Sequence, residues 1–531
     1  MSANLARARV IHAILERQAV KYGDRCFLRF GDQEFGFATF NHMANRVAGG
    51  LQNLGISKGD KVAVVMDNCP EFLFSIYGLS KLGAVQVPIN TAHKGEILAY
   101  MLDHSDSCAV IAQPQYLERI LPVLPQAPKL RTLIVAGPAG EAVVDGRQTI
   151  RWADLVANDG SYTPAEVSYA DPVAIMYTSG TTGPSKGVLT PHNLPITVSE
   201  RLCEGVLGDQ DCMFTMLPLF HNGGQVVGCL SALMSGARLV VGERFSASTF
   251  WSEIRRSGCT AFTYIGSVLP MLYKVEPRPD DRDHPLRVGI GGGAPRDIFH
   301  AFETRFGLTL LEFYGQSEIG VPLVSDRAHR KAGACGRVHP DYVARLVGDD
   351  GLPVGPNRPG ELLIRPEKAH IIGLEYYKMA EKTVEVWRDL WYHTGEYLSC
   401  DEEGFYYFVD RKKDALRRRG ENISSFEVEK VINSHPAVLE SAAIGIQSGM
   451  GAGEDEVMAC ITLRPGHELD PIELIGYCEK RMAYFMVPRY LRFMSAMPKT
   501  ASMRIEKYKL RLQGVTPDTW DLQQSGYKLR K

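Results

Sequence analysis

Short apolar runs alternate with helical patterns through the first 340 residues, and this alternation restricts the fold more than any other feature. The run DKVAVVMDN (60–68) is typical of a buried strand, and a helical run in EFLFSIYGLSKLG (71–83) follows it. Buried strands interleaved with helices indicate parallel sheets that are covered on both faces, so the sequence predicts an α/β fold. Further strand-like runs are AVQVPIN, SCAVIAQ, RTLIVAG, CMFTMLPLF, ARLVVG, TAFTYIG, LRVGIGGG and LTLLEFYG.

The pattern changes after about Pro340, and the change suggests a second domain. PGELLIR and GFYYFVDR predict a small antiparallel element, and a polar stretch runs from Asp410 to Asn422. Beyond it, short helices and strands predict a compact α+β unit. A chain of 531 residues also exceeds what one core usually supports. We therefore predict a large N-terminal domain (1–410) and a small, mobile C-terminal domain (411–531).

Charge and cysteine content restrict the partners and the compartment. The formal net charge is -2, so no global field favours nucleic acid or an anionic membrane. The 11 cysteines include no C-x-x-C pair and no zinc-type spacing, which is typical of reduced thiols. The N-terminus lacks the apolar core of a signal peptide, and no apolar stretch is long enough for a transmembrane segment. We expect a cytoplasmic protein without a nucleic-acid partner, and the sequence leaves a homodimer open.

A loop rich in glycine and hydroxyl residues follows a predicted buried strand that ends near Tyr177. Its sequence is TSGTTGPSKG (178–187), which does not match the spacing of a Walker loop. Glycines let backbone N–H groups approach an anion, hydroxyls add donors, and a lysine adds positive charge. We predict that the loop binds a polyphosphate through Thr178, Ser179, Gly180, Thr181, Thr182, Gly183 and Lys186.

The loop resembles the phosphate-binding signature of the adenylate-forming superfamily, which includes acyl-CoA synthetases, luciferases and peptide-synthetase adenylation domains. PLFHNGG, GGGAP, YGQSE, WYHTGE, DRKKD and PKTASMRIEKYKLR resemble its other motifs in the same order. The resemblance covers about residues 10–515 and is closest to carnitine-CoA ligases and fatty-acid transport proteins. It implies an ATP-dependent carboxylic acid–CoA ligase that forms an acyl-adenylate, releases AMP and pyrophosphate, and uses Mg²⁺.

The resemblance also assigns residues to the nucleotide and the metal ion. Glu318, with Thr178, would hold Mg²⁺, because a hard cation prefers carboxylate, hydroxyl and phosphate oxygens. Glu396 and Arg411 would contact the ribose, Lys413 would be the hinge, and the loop around Gly420 would approach the site after domain rotation. The remaining implied nucleotide contacts are Gly292, Gly293, Ala294, Pro295, Tyr314, Gly315, Gln316 and Ser317.

The same resemblance implies an acyl pocket beside the aromatic-His motif. His221 would border the substrate carboxylate, although a lone histidine after a buried run is otherwise more often a core residue. The other implied pocket residues are Asn222, Gly223, Gln225, Tyr264, Gly266 and Ser267.

Two residues depart from the family pattern. Glu396 stands where the family has aspartate, and Arg504 aligns with the C-terminal lysine that bridges the substrate carboxylate and the α-phosphate. Arginine keeps the charge but is bulkier and planar. Lys507 lies three residues later, at a spacing that would place it on the same helix face. The implied catalytic residues are therefore Lys186, Glu318, Arg504 and His221.

Several alternatives stay open from the sequence. The enzyme could load a carrier protein rather than CoA, or the chain could bind nucleotide or acyl groups without catalysis. GIGGGA (289–294), which precedes a predicted helix starting at Pro295, also matches a dinucleotide-binding fingerprint, but that interpretation leaves the phosphate loop unexplained. The basic run from Arg411 to Arg419 has two interpretations, a site for the 3′-phosphate of CoA or a solvated linker.

Overall fold

The computed structural model describes residues 8–137, 147–178, 184–266, 268–411, 415–419, 421–448, 454–498 and 505–530. Its strands up to the predicted domain boundary have the following bounds: β1 Cys26–Phe30, β2 Gln33–Gly36, β3 Lys61–Val65, β4 Val85–Pro88, β5 Ser107–Ala112, β6 Thr132–Val135, β7 Gln148–Arg151, β8 Pro172–Thr178, β9 Lys186–Pro191, β10 Cys212–Thr215, β11 Arg238–Val241, β12 Ala261–Ile265, β13 Val288–Gly292, β14 Thr309–Gln316, β15 Gly320–Val324, β16 Arg337–Val338, β17 Tyr342–Val347, β18 Gly360–Pro366, β19 Glu375–Tyr376, β20 Trp387–Arg388, β21 Trp391–Cys400 and β22 Tyr406–Arg411.

The helices of the same region lie between and around the sheets. They are α1 Ile11–Tyr22, α2 Phe37–Asn53, α3 Pro70–Lys81, α4 Gly95–His104, α5 Leu117–Ile120, α6 Trp152–Leu155, α7 Asn193–Cys203, a π-helix at Gly223–Leu230, α8 Ser231–Ser235, α9 Phe250–Ser257, α10 Val268–Tyr273, α11 Phe299–Phe306 and α12 Ala380–Val386, with 3₁₀ turns at Pro114–Tyr116 and Leu121–Gln126.

Two large sheets form the N-terminal region. The first sheet has the order β16-β15-β14-β13-β12-β10-β11-β1-β2, and the second has the order β19-β9-β8-β4-β3-β5-β6-β7. Both have parallel centres, and their antiparallel pairs lie at the ends, such as β14 with β15 and β8 with β9. This arrangement confirms the predicted α/β class and its parallel-type sheets.

The hydrophobic pattern of the strands explains how the layers stack. Along β3, Val62 and Val64 face a core shared with the first sheet, whereas Ala63 and Val65 face a second core. Successive strand side chains point to opposite faces, so a continuous apolar strand can supply both layers. The outer face of the first sheet packs on a third core around Phe262 and Phe302.

The predicted antiparallel element is confirmed in β17, β18, β20, β21 and β22, which form one sheet. In β22, Asp410 pairs with Tyr397 and Arg411 pairs with Glu396. The strand therefore continues one residue past the boundary that the sequence predicts, and that boundary stays a prediction.

The C-terminal region is the predicted α+β unit. Ser424 caps α13 and accepts a hydrogen bond from the backbone of Glu427, and Asp470 caps α14 before Pro471. Its apolar residues join the core on the outer side of the second sheet. The element bounds are β23 Ala415–Arg418, β24 Glu421–Ser424, α13 Ser425–Asn433, β25 Val438–Gln447, β26 Asp455–Leu463, α14 Pro471–Glu479, β27 Tyr490–Phe493, α15 Lys507–Gln513 and β28 Trp520–Asp521.

Candidate active site

The carboxyl ends of the parallel strands bring the sequence motifs together. β8 of the second sheet ends at Thr178, and β13 and β14 of the first sheet end at Gly292 and Gln316. A hydrogen bond from Thr178 to Glu318, two residues after Gln316, brings the ends of the two sheets together. Open parallel sheets commonly bind their ligands at this edge, because the loops there converge. The described motif residues at these strand ends therefore form one candidate site.

Glu318 and Thr178 meet at the end where the phosphates are expected. The hydroxyl of Thr178 donates to Oε1 of Glu318 at 3.3 Å, although 140 residues separate the two. Tyr376, which the sequence analysis did not single out, donates to the same oxygen at 2.8 Å. Lys186 begins β9, and its Nζ lies 4.5 Å from the centroid of the Tyr376 ring. Ser179, Gly180, Thr181, Thr182 and Gly183 lie outside the described residues.

The oxygen donors around Glu318 fit a magnesium ion that is bound mainly through a substrate. No group of three or more His, Cys, Asp or Glu side chains that could hold a metal lies within the described parts of the chain. Mg²⁺ in nucleotide sites is usually held by one or two carboxylates, with phosphates and water completing the octahedron. One carboxylate with an adjacent hydroxyl, Glu318 with Thr178, matches that pattern.

Tyr314 and Glu396 lie together at the end where the ribose is expected. The Tyr314 hydroxyl donates to Oε2 of Glu396 at 2.5 Å, and Gln316 donates to the Tyr314 oxygen at 3.2 Å. Burial and the nearby Glu396 charge raise the pKa of Tyr314, so its hydroxyl remains a donor. Arg411 pairs with Glu396 through strand register, but its side chain lies outside the described atoms, as does the whole of Lys413.

The GGGAP turn is held from behind by a buried carboxylate that the sequence analysis missed. Gly293 has φ +85, which favours glycine, and its N–H donates to Glu312 at 3.0 Å. The N–H of Ala294 donates to the same carboxylate at 3.1 and 3.2 Å. Burial raises the pKa of Glu312 to about 7, even though these hydrogen bonds lower it. The helix after the turn begins at Phe299 and not at Pro295 as predicted, because turn residues intervene.

Tyr264 has a different place from the one that the resemblance implies. Its side chain is fully buried in the core that contains Phe262, and its hydroxyl donates to Glu312. It therefore supports the GGGAP turn rather than lining the cleft. Gly266 packs against the backbone of Gly293, where an added Cβ would lie 2.4 Å from the Gly293 oxygen. Ser267 lies outside the described residues.

A π-helix that begins at Gly223 organises the predicted acyl pocket. Asn222 precedes it and donates to the Ser317 hydroxyl at 3.3 Å, which joins the pocket to the YGQSE motif. Gln225 is buried and donates to the Leu219 carbonyl at 2.7 Å. A cavity of about 30 Å³ borders Asn222 and Gln225. π-helical turns often occur at functional sites, because they alter the positions of their side chains.

The C-terminal region supplies two carboxylates to the same cleft. Oε2 of Glu421 lies 2.9 Å from Nε2 of His221 and accepts a hydrogen bond from Asn90 at 3.2 Å. Burial opposes ionisation of Glu421, but His221 makes the pKa of Glu421 lower than usual. Glu427 accepts from the N–H and the hydroxyl of Ser185 at 2.9 and 2.5 Å, and burial raises the pKa of Glu427. The only sequence signal for Glu427 was its capping-box spacing after Ser424.

Two basic residues, Arg418 and Lys507, have partners that the sequence did not indicate. Arg418 is only 4% exposed and pairs with Glu456 at 2.6 Å, so both the linker and the CoA interpretations are wrong for this residue. Lys507 contacts Glu429 at 2.6 Å and Ser425 at 2.8 Å, within the C-terminal region. Gly420 and Arg504 lie outside the described residues, and their predicted roles stay predictions.

Family comparison agrees with this geometry over most of the chain. The family described as AMP-binding enzyme matches residues 15–371, and the AMP-binding enzyme C-terminal domain matches residues 427–504. The chain belongs to the AMP-binding enzyme family. This AMP-binding enzyme is 33% identical over 507 residues to the crotonobetaine/carnitine–CoA ligase of Salmonella paratyphi C (strain RKS4594), across 92% of the chain and 96% of the relative.

Solved structures share the fold of this AMP-binding enzyme. An anthranilate CoA ligase in complex with anthranoyl-AMP is 26% identical, with a TM-score of 0.71 and coverage of 95% of this chain and 96% of the other. The o-succinylbenzoate CoA synthetase of Bacillus subtilis has a TM-score of 0.80 as a double mutant bound to the product analogue OSB-NCoA, at 24% identity and 94% and 98% coverage. Its complex with AMP has a TM-score of 0.67 at 23% identity and 96% and 99% coverage. The prediction of an adenylate-forming ligase is confirmed.

Proposed function

We propose that this AMP-forming acid–CoA ligase activates its carboxylic acid in the cleft between the first sheet, the second sheet and the C-terminal region. The observation that carries the proposal is the convergence of Thr178, Glu318 and Lys186 at one end and of Tyr314 and Glu396 at the other. One end suits a polyphosphate with a divalent cation, and the other suits a ribose.

In the first half-reaction, the acid carboxylate attacks the α-phosphorus of ATP, which gives an acyl-adenylate and pyrophosphate. Lys186 offsets the charge that grows on the phosphate oxygens. Glu318 and Thr178 would hold Mg²⁺, which supplies further charge neutralisation when it is bound. Glu396 would accept hydrogen bonds from the ribose while Tyr314 orients it. Arg504 would bridge the carboxylate and the α-phosphate.

In the second half-reaction, the CoA thiol attacks the acyl carbonyl and AMP leaves. The loop around Gly420 is expected to approach the site for this step. Glu421, the next residue, contacts His221 in the structure, so the observed arrangement fits the second half-reaction. Lys413 would be the pivot between the two arrangements. Removing Arg504 from the site during rotation would separate the two steps.

Incubation with ATP, Mg²⁺ and a panel of acids, with and without CoA, tests the proposal. The panel should include carnitine and crotonobetaine, because a relative is named for them, together with anthranilate and aliphatic acids. We expect AMP and an acyl-CoA product only when ATP, acid and CoA are all present. Acid-dependent pyrophosphate release that leaves added CoA unconsumed would favour carrier-protein loading, and no turnover would favour a non-catalytic binder.

We also propose a cytoplasmic location. All 11 cysteines are free thiols in the structure, including a close pair of Sγ atoms, Cys212 and Cys259, at 3.5 Å. Free thiols in such number suit a reducing compartment. Among the described residues, every helix is too short or too polar to cross a bilayer. A homodimer stays a prediction that size-exclusion chromatography with light scattering would test.

A further inference from the structure

We propose that Tyr376 is a positioning residue for the triphosphate end of the site: its hydroxyl fixes Glu318 and its ring fixes Lys186. This inference rests on the proposed function and extends it to a residue outside the sequence motifs described above. Tyr376 is 4% exposed, so packing leaves its ring little freedom. One rigid side chain thus touches both the carboxylate and the cation that would hold the phosphates.

Strand register places Tyr376 beside Lys186. β19 runs antiparallel to β9, and Tyr376 is opposite Val188, two residues after Lys186. Backbone hydrogen bonds from Leu374 to Leu189 and from Tyr377 to Gly187 hold this register at 2.8 Å. Residues two apart on a strand share a face, so the lysine and the tyrosine ring lie on the same side of the sheet. The 4.5 Å distance from Nζ to the ring centroid is within the range of a cation–π contact.

The hydroxyl of Tyr376 controls one oxygen of Glu318. It donates to Oε1 at 2.8 Å, and Thr178 donates to the same oxygen at 3.3 Å. Among the described residues, the hydrogen bonds to the Glu318 side chain therefore converge on Oε1, and Oε2 accepts none of them.

A chain of weaker contacts extends from Tyr376 toward the ribose end. The hydroxyl oxygens of Tyr376 and Tyr392 are 3.5 Å apart, and Tyr392 donates to Oε1 of Gln316 at 3.3 Å. Gln316 donates to the Tyr314 oxygen at 3.2 Å, and Tyr314 donates to Glu396 at 2.5 Å. The middle contacts are longer than ordinary hydrogen bonds between hydroxyls. Loss of the Tyr376 hydroxyl should therefore act mainly at the phosphate end.

Tyr376→Phe isolates the hydroxyl, because it keeps the ring under Lys186. The matched control is Tyr377→Phe, since the neighbouring Tyr377 hydroxyl donates to Asp106 at 2.8 Å and belongs to no part of the site. We expect Tyr376→Phe to weaken Mg-ATP binding about tenfold in calorimetric titrations without acid, because one charge-assisted hydrogen bond is lost. The Mg²⁺ concentration for half-maximal acyl-adenylate formation should rise by a similar factor. Tyr377→Phe should change neither value more than about twofold.

A double-mutant cycle with Glu318→Gln separates positioning from general damage. If Tyr376 acts through Glu318, its effect on Mg-ATP binding should largely vanish in the Glu318→Gln background, whereas independent effects would add. Additive losses, or equal Mg-ATP binding by wild type and Tyr376→Phe, would overturn the inference. If wild type itself forms no acyl-adenylate with any acid, the proposed function fails instead, while the binding titration still tests Tyr376.

Discussion

The contact between Glu427 and Ser185 joins the C-terminal region to the end of the phosphate loop, and its removal should slow one half-reaction selectively. Glu427→Ala deletes the acceptor of two hydrogen bonds, at 2.9 and 2.5 Å, between two buried residues. The cap of α13 survives, because the Glu427 backbone N–H donates to Ser424. The variant therefore alters domain docking more than the helix.

The size of the effect follows from these two bonds. Hydrogen bonds to a charged group contribute roughly 1.5–3 kcal/mol each. Burial opposes ionisation of Glu427, as its raised pKa shows, and offsets part of that gain. A net loss of about 2 kcal/mol would reduce the docked population about thirtyfold. Because we assign the docked arrangement to thioester formation, that step should slow by up to about the same factor.

Single-turnover assays of the two half-reactions test this expectation. Glu427→Ala should leave acyl-adenylate formation within about twofold and slow thioester formation from preformed acyl-adenylate. The control is Lys430→Ala on the same helix, which removes an exposed ion pair with Glu96 at 2.7 Å and leaves both hydrogen bonds of Glu427 in place. Exposed pairs contribute little, so the control should match wild type. Equal slowing of both half-reactions, or no slowing of thioester formation, would refute the docking role.

Three further predictions concern single residues. Arg504→Ala should slow adenylation far more than thioester formation in the same single-turnover assays, and equal losses would contradict its bridging role. Glu312 has a folded-state pKa of about 7 against 4.5 ordinarily, so its stabilising contribution is present below pH 4.5 and is lost as the pH rises through 7. Denaturant titrations should therefore show the unfolding free energy of wild type falling by about 3 kcal/mol relative to Glu312→Gln between pH 4.5 and 8; a pH-independent difference would be inconsistent with this. Arg418→Ala should cost about 3 kcal/mol, because it removes the 2.6 Å partner of buried Glu456 and leaves only Arg489, 3.7 Å from the other carboxylate oxygen; an unchanged melting temperature would show that the pair is not buried in solution.

Local sequence pattern was sufficient for most elements of the fold. The run DKVAVVMDN became β3, and the helical run after it became α3, which begins at Pro70, a residue favoured at a helix start. The phosphate loop and YGQSE were recognisable because glycines and hydroxyls occur at fixed spacings. These patterns can be recognised in the sequence because each depends only on residues that are close together in the chain.

Long-range partners could not be predicted in the same way. Nothing near Arg418 in the sequence indicates Glu456, which comes from β26, and the polar run around Arg418 favoured a solvated linker instead. Tyr264 was expected in the acyl pocket because the TYIGS run that contains it resembles a pocket motif. In the structure, the alternation of side chains along β12 places its ring in the core that contains Phe262. In both cases, the packing of another element decided where the side chain lies.

By itself, the sequence determined the α/β class, which depends on periodicity, and a loop suited to a phosphate, which depends on residue types at short spacing; the adenylate-forming chemistry followed from the resemblance of its ordered motifs to a known family. Only the tertiary structure brought Tyr376 between Glu318 and Lys186, and Glu421 to His221. Tyr376 and Glu318 are 58 positions apart in the sequence, and Glu421 and His221 are 200 positions apart. Strand register and domain docking create such contacts, and no local stretch of the sequence determines either of them.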